Sequence, residues 1–181
     1  MKSARIFVPE ELFAPAESSS FHGEYELASL TMGPDEYRFQ GPLVWDVSVT
    51  NTGDALLLMG SVRADARTGC ARCLEEFELA LEGEVEGYFL LDAADQPPED
   101  MDGDEYEVLG DDHVIDLEPL LVAALLLELP LVPLCDEDCK GLCPTCGENL
   151  NEGPCGCRPA EDDAFSTNPF AVLKDFHFEE Q

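Results

Sequence analysis

Ala64-Asp65-Ala66-Arg67-Thr68-Gly69-Cys70-Ala71-Arg72-Cys73-Leu74-Glu75-Glu76-Phe77-Glu78-Leu79-Ala80-Leu81 alternates apolar and polar residues on both sides of a Cys-x-x-Cys pair. Upstream, Leu56, Leu58, Val62, Ala64 and Ala66 share one face and Arg63, Asp65 and Arg67 the other. Downstream, Phe77, Leu79, Leu81, Val85 and Phe89 stand against Glu76, Glu78, Glu82, Glu84 and Glu86. A period of two is the mark of a half-buried strand. The pair Cys70/Cys73 therefore sits at the tip of a long antiparallel hairpin. An earlier strand precedes it, with Leu43, Trp45, Val47 and Val49 inward. Asn51-Thr52-Gly53-Asp54 provides the turn between them, and Gly60 is the expected place of a bulge.

The helical signal comes later. Asp116 is a suitable N-cap, Glu118 and Pro119 suit a first turn, and Pro130 stops the run. Leu117, Leu120, Leu121, Ala124, Leu125 and Leu127 cover most of the circumference, which predicts a helix buried on most sides and packed across the sheet. Residues 92–112 hold ten acids in 21 positions and read as a loosely held loop. At the end of the chain, Asn168-Pro169 opens a short helix whose stripe Phe170, Leu173 and Phe176 is a candidate partner-binding face, with core packing as the alternative. The fold class is thus α+β: an antiparallel β-sheet packed by one buried helix, with a C-terminal cysteine-rich zinc-knuckle module. The expected divisions are a sheet and helix body over 1–130, a cysteine module over 131–160, and an acidic linker with the terminal helix over 161–181.

All eight cysteines fall in pairs. Cys143, Cys146, Cys155 and Cys157 are close enough in sequence to close one four-thiol site on a short loop, which costs little entropy. The remaining four, Cys70, Cys73, Cys135 and Cys139, predict a second site joining the hairpin tip to the segment after the helix. Gly147, directly after Cys146, can take the positive φ that turns backbone N–H groups toward sulfur. Two zinc ions, one per quartet, are the expected cofactors. The unequal spacings favour zinc over iron, and a full set of four thiolates points to a structural ion. Five of the nine basic residues, Arg63, Arg67, Arg72, Lys140 and Arg158, lie in or beside the cysteine segments, where cations offset an all-thiolate centre; a small RNA-touching patch is the alternative.

Composition narrows the function. Acids outnumber bases 40 to 9, for a formal charge of −31, so strong direct binding to RNA is disfavoured and basic proteins are the expected partners, with solubility or an acid-rich host proteome as the alternative reading of the charge. The segment from Met1 to Glu11 has no apolar run of signal-peptide length, and Leu117–Leu134 is broken by acids and prolines. A cytoplasmic location without a membrane is expected, and a reducing compartment favours metal over disulfides. His22, His113 and His177 are scattered and no phosphate loop is present, so the chain reads as a non-enzyme with no catalytic residues.

Cys70-Ala71-Arg72-Cys73-Leu74-Glu75-Glu76-Phe77, Ile115-Asp116-Leu117, Leu129-Pro130, Cys139-Lys140-Gly141-Leu142-Cys143-Pro144 and the tail from Asn168 to Leu173, in that order, resemble the YceD family, the large ribosomal RNA subunit accumulation proteins. The resemblance runs from about residue 40 onward. It implies a role in accumulating large-subunit ribosomal RNA and in assembling the large ribosomal subunit. Joined to the acidic charge, it suggests a non-catalytic factor that binds a basic ribosomal protein or assembly factor. A redox-switched zinc chaperone is the alternative.

Overall fold

A computed structural model describes residues 4–92, 94, 97, 98, 101–103 and 105–157. Its strands are β1 (Arg5–Phe7), β2 (Ser18–Tyr25), β3 (Ser29–Met32), β4 (Asp35–Phe39), β5 (Leu43–Asn51), β6 (Ala55–Gly69), β7 (Glu76–Leu90), β8 (Glu107–Val108) and β9 (Val114–Asp116). One α-helix, α1 (Glu118–Glu128), follows among the described residues. The larger sheet runs β2-β5-β6-β4-β3, with β7 on the other side of β6. Pairing is antiparallel except between β7 and β8, where Phe89 and Leu90 lie parallel to Glu107 and Val108.

The β6–β7 hairpin is continuous from Ala55↔Leu90 to Gly69↔Glu76, which puts Cys70 and Cys73 at its tip as the alternation predicts. Leu56, Leu58, Val62 and Ala66 are buried from one face of β6, and Val85 and Phe89 from β7. Gly60 is not a bulge. It pairs in register with Val47 and Val85, and a Cβ there would come within 2.1 Å of the Asp46 carbonyl oxygen. Its role is close approach of two backbones rather than an extra residue.

The charges on the outer face pair across strands. Arg63 meets Glu82 at 2.7 Å, Arg67 meets Glu78 at 2.6 Å, and Arg38 of β4 pairs with Glu76. Arg63 and Arg67 therefore serve the sheet and not the sulfurs, because alternation turns them outward from the hairpin well before its tip. Each such exposed pair contributes only about 0.2–1 kcal/mol.

Helix α1 lies over β7, where glycine makes room for it. A Cβ on Gly83 would stand 2.7 Å from the Ala124 carbonyl oxygen, and one on Gly87 3.0 Å from Leu120 Cδ1. Asp116 Oδ1 accepts from the Glu118 N–H at 3.1 Å, but the cap position of the helix falls one residue later than expected, on Leu117, which makes no side-chain cap bond. The expectation of a helix buried on most sides is not met. Leu121, Ala124 and Leu125 are buried, but Leu127 is 85% exposed and Leu126 is also open. One sheet covers one face only, and nothing among the described residues covers the other.

Several pairings lie outside the sequence reading, among them β2 with β5, β3 with β4 and β4 with β6. β1 pairs with β9 through Ile6↔Ile115, tying the N-terminal segment to the strand just before α1. The acidic segment is anchored at its far end, since β8 is paired and Leu109 is buried. His113 sits in the turn before β9 at φ 53°, its ring 4.8 Å from that of Phe13. The terminal helix expected at 168–176, with Phe170, Leu173 and Phe176, lies outside the described residues, as does Arg158.

Candidate metal centres

The structure brings together two groups of four thiols, Cys70/Cys73/Cys135/Cys139 and Cys143/Cys146/Cys155/Cys157, each with its sulfurs within 4.8 Å of one another. These are the quartets named from the spacing. Sulfurs 2.3 Å from a tetrahedral zinc stand about 3.8 Å apart. Cys70 and Cys139 are separated by 3.7 Å and Cys73 and Cys135 by 3.6 Å, far longer than a disulfide and in line with a shared ion. The donor set and its size therefore fit zinc. Four thiol donors fill a tetrahedral shell and leave no position for a substrate.

Both Cys-x-x-Cys turns have the same backbone construction. In the first, Leu74 N–H donates to Cys70 O and Cys70 N–H to Glu75 O, each at 2.9 Å. In the second, Gly147 N–H donates to Cys143 O and Cys143 N–H to Glu148 O, each at 2.8 Å. The residue after the second cysteine is left-handed in each case, Gly147 at φ 77° and Leu74 at φ 62°. For Gly147 this was legible from residue type. For Leu74 it was not, since a leucine pays a steric cost in that region.

The turns direct N–H groups at sulfur. Burial by itself raises the Cys70 thiol, but backbone N–H groups of Cys135, Cys73 and Arg72 outweigh it and bring Cys70 down to about 6. Cys143 is brought to about 6 chiefly by the backbone of Cys146 and Thr145. Cys157 is pushed up to about 12, first by its contact with Cys146 and then by burial. The first quartet thus holds two lowered thiols, Cys70 and Cys139, and the second holds one, Cys143, beside neighbours that resist ionising together, the pattern of thiols gathered for a cation.

The first quartet joins distant parts of the chain. Cys70 and Cys73 come from the hairpin tip, Cys135 and Cys139 from the turn after α1, and Ala71 N–H donates to Pro133 O at 2.8 Å across that junction. Arg72 is the basic residue that serves the site: its guanidinium donates to Glu137 O and Cys139 O, at 3.2 and 2.9 Å. The quartets also touch each other. Leu142 N–H donates to Arg72 O, Leu150 N–H to Gly141 O, and Asn151 Nδ2 to Cys139 Sγ. Asn151 lies in the loop between Cys146 and Cys155, and the spacing of the cysteines gives no sign that it reaches the other quartet.

Among the described residues, no helix is long and apolar enough to cross a membrane. A model of the family described as large ribosomal RNA subunit accumulation protein YceD matches residues 58–177. An uncharacterized protein of Mycobacterium tuberculosis is 36% identical over 118 residues, covering 64% of this chain and 55% of the relative. One from Mycobacterium leprae is 31% identical over 110 residues, covering 60% and 49%. The chloroplastic large ribosomal RNA subunit accumulation protein YCED homolog 1 of Zea mays is 34% identical over 145 residues, covering 65% and 49%. The chain spans about half the length of these curated relatives. No solved structure matches. The family match covers most of β6, the whole of β7 and α1, and all eight cysteines, and on it this chain belongs to the YceD family of large ribosomal RNA subunit accumulation proteins.

Proposed function

We propose that this chain is a non-catalytic, zinc-stapled factor that supports accumulation of large-subunit ribosomal RNA, and hence assembly of the large ribosomal subunit, by binding a basic ribosomal protein or assembly factor. The family name and the names of the plant relatives support the first part. The sulfur separations of 3.6 and 3.7 Å carry the zinc part. A charge of −31 supports a basic protein, rather than bare RNA, as the direct partner.

In this reading each Cys-x-x-Cys turn is a zinc knuckle, and 131–160 acts as a module clamped to the 1–130 body. The tail stripe Phe170, Leu173 and Phe176 offers the partner apolar contact. Metal analysis of the purified chain is expected to return two zinc ions, and Cys73→Ser should leave one. A metal-free protein with all thiols reduced would refute the zinc part. Cells lacking the chain should accumulate less large-subunit ribosomal RNA relative to the small-subunit RNA, and an unchanged ratio would refute the ribosomal part.

A redox role has one supporting observation. Cys146 is exposed and Cys155 and Cys157 are half-buried, so the second quartet is the more open to oxidants. Zinc retained through mild peroxide treatment would remove that reading.

A further inference from the structure

The C-terminal end of α1 and the segment that follows expose an apolar strip. Leu127 is 85% exposed, Leu131 89% and Val132 58%, and Leu126 is open beside them. The strip is held firmly. Leu129 between them is buried, Tyr37 Oη donates to Pro130 O at 3.0 Å, and Pro133 O accepts from Ala71 N–H. Consecutive large aliphatic side chains fixed in water in this way mark an interaction site more often than chance exposure does.

The charges around the strip select its occupant. Glu128, Asp136, Glu137 and Asp138 are all exposed, and from residue 126 to 138 there is no lysine or arginine. Arg72 reaches this segment through the carbonyls of Glu137 and Cys139 and Lys140 lies just beyond it, so its four carboxylates still outnumber the cations beside it. A second copy of the chain would bring −31 against −31. The chain's own residues 158–181 carry six acids against two bases, the same sign as the rim. Neither complements this surface.

We infer that Leu127, Leu131 and Val132 form the apolar floor of a docking surface for an amphipathic basic segment of a partner protein, with the surrounding carboxylates meeting its lysines and arginines. The inference rests on the basic-partner reading above and gives that partner a place on the body of the protein, beside the first quartet.

The test uses the full chain with zinc, a synthetic amphipathic helix of leucine and lysine, and a poly-lysine of equal charge as the control. Leu131→Ser with Val132→Ser should weaken the amphipathic peptide roughly tenfold and leave poly-lysine binding unchanged, because only apolar burial is removed. Leu127→Gln on the solvent side of α1 should act in the same direction, which guards against a double variant that melts. Unchanged peptide affinity in both variants overturns the docking surface while leaving the acidic-partner reading in place. A wild-type chain that binds neither probe overturns both. Binding of a ribosomal RNA hairpin that is lost with the same substitutions overturns the choice of a protein occupant.

Discussion

Asn151 Nδ2 donates to Cys139 Sγ at 3.3 Å, so a side chain from the loop of the second quartet stabilises a sulfur of the first. The side chain is oriented from its other end, where Asn151 Oδ1 accepts from Lys140 N–H at 2.7 Å. This contact is the first cause of the lowered Cys139 thiol. A donor at that distance strengthens the thiolate and fixes its direction, as groups hydrogen-bonded to metal ligands do.

Asn151→Ala is therefore expected to weaken zinc at the first quartet by about tenfold, with the second unaffected. Competition with a chromogenic chelator, read separately in Cys73→Ser and Cys155→Ser backgrounds, measures the two sites. Equal weakening of both, or of neither, would contradict the assignment.

The pH dependence follows from the two thiols brought to about 6 against an ordinary 9.0, Cys70 and Cys143. A group lowered by folding stabilises the folded state above its unfolded value, and that contribution is lost as pH falls through the folded one. Stability of the metal-free chain should thus decline from pH 9.0 through about 6 on acidification. Cys157, raised to about 12, keeps its proton in both states below 9.0 and adds no slope in that window. Zinc binding requires thiolate and should fail in the same direction. Melting temperature against pH, with and without chelator, is the measurement; a rise on acidification would be the wrong sign.

Leu74 and Gly147 occupy equivalent positions in the two turns, at φ 62° and 77°. Leu74→Gly should relieve backbone strain of about 1 kcal/mol, less the entropy that glycine adds to the unfolded chain, for a small net gain in stability. Gly147→Ala should cost about 1 kcal/mol at the other turn. Denaturant melts of the two zinc-loaded variants should move in opposite directions. Leu74 is 70% exposed, so its loss removes little packing.

Gly83→Ala would place a Cβ 2.7 Å from the Ala124 carbonyl oxygen, a backbone atom that moves only if α1 does. Destabilisation of about 1–3 kcal/mol is expected, typical of an overfilled contact. A shift in the urea midpoint at constant slope would register it, while Gly69→Ala, with no atom near its Cβ position, serves as the control.

The hairpin was legible because its two strands alternate on either side of the tip and their glycines fall on the inward phase: Gly60, Gly83 and Gly87 continue the register of Leu58, Leu81 and Val85. The same silence of glycine misled at Gly60, where a missing side chain looks alike whether it marks a bulge or a close approach. Leu127 misled the helix reading, since the apolar pattern of α1 does not distinguish a buried face from an open one. The quartets were legible from spacing because each pair is local. Asn151 was not, because its contact depends on how one loop folds against another turn. β1 was too short to carry a period, and its partner β9 lies more than a hundred residues away.

The link between Cys70 and Cys139 spans 69 positions, with the whole of β7 and α1 inside it. An ion shared by their sulfurs closes that loop much as a disulfide would, and a covalent closure of this length removes on the order of 4 kcal/mol of unfolded-chain entropy. The closure differs from a disulfide in what can open it. A reductant leaves thiolates bound to zinc, whereas a chelator or a fall in available zinc releases them. With zinc bound as proposed, folding of this chain would follow the metal supply around it, and a reductant alone would not open the first quartet.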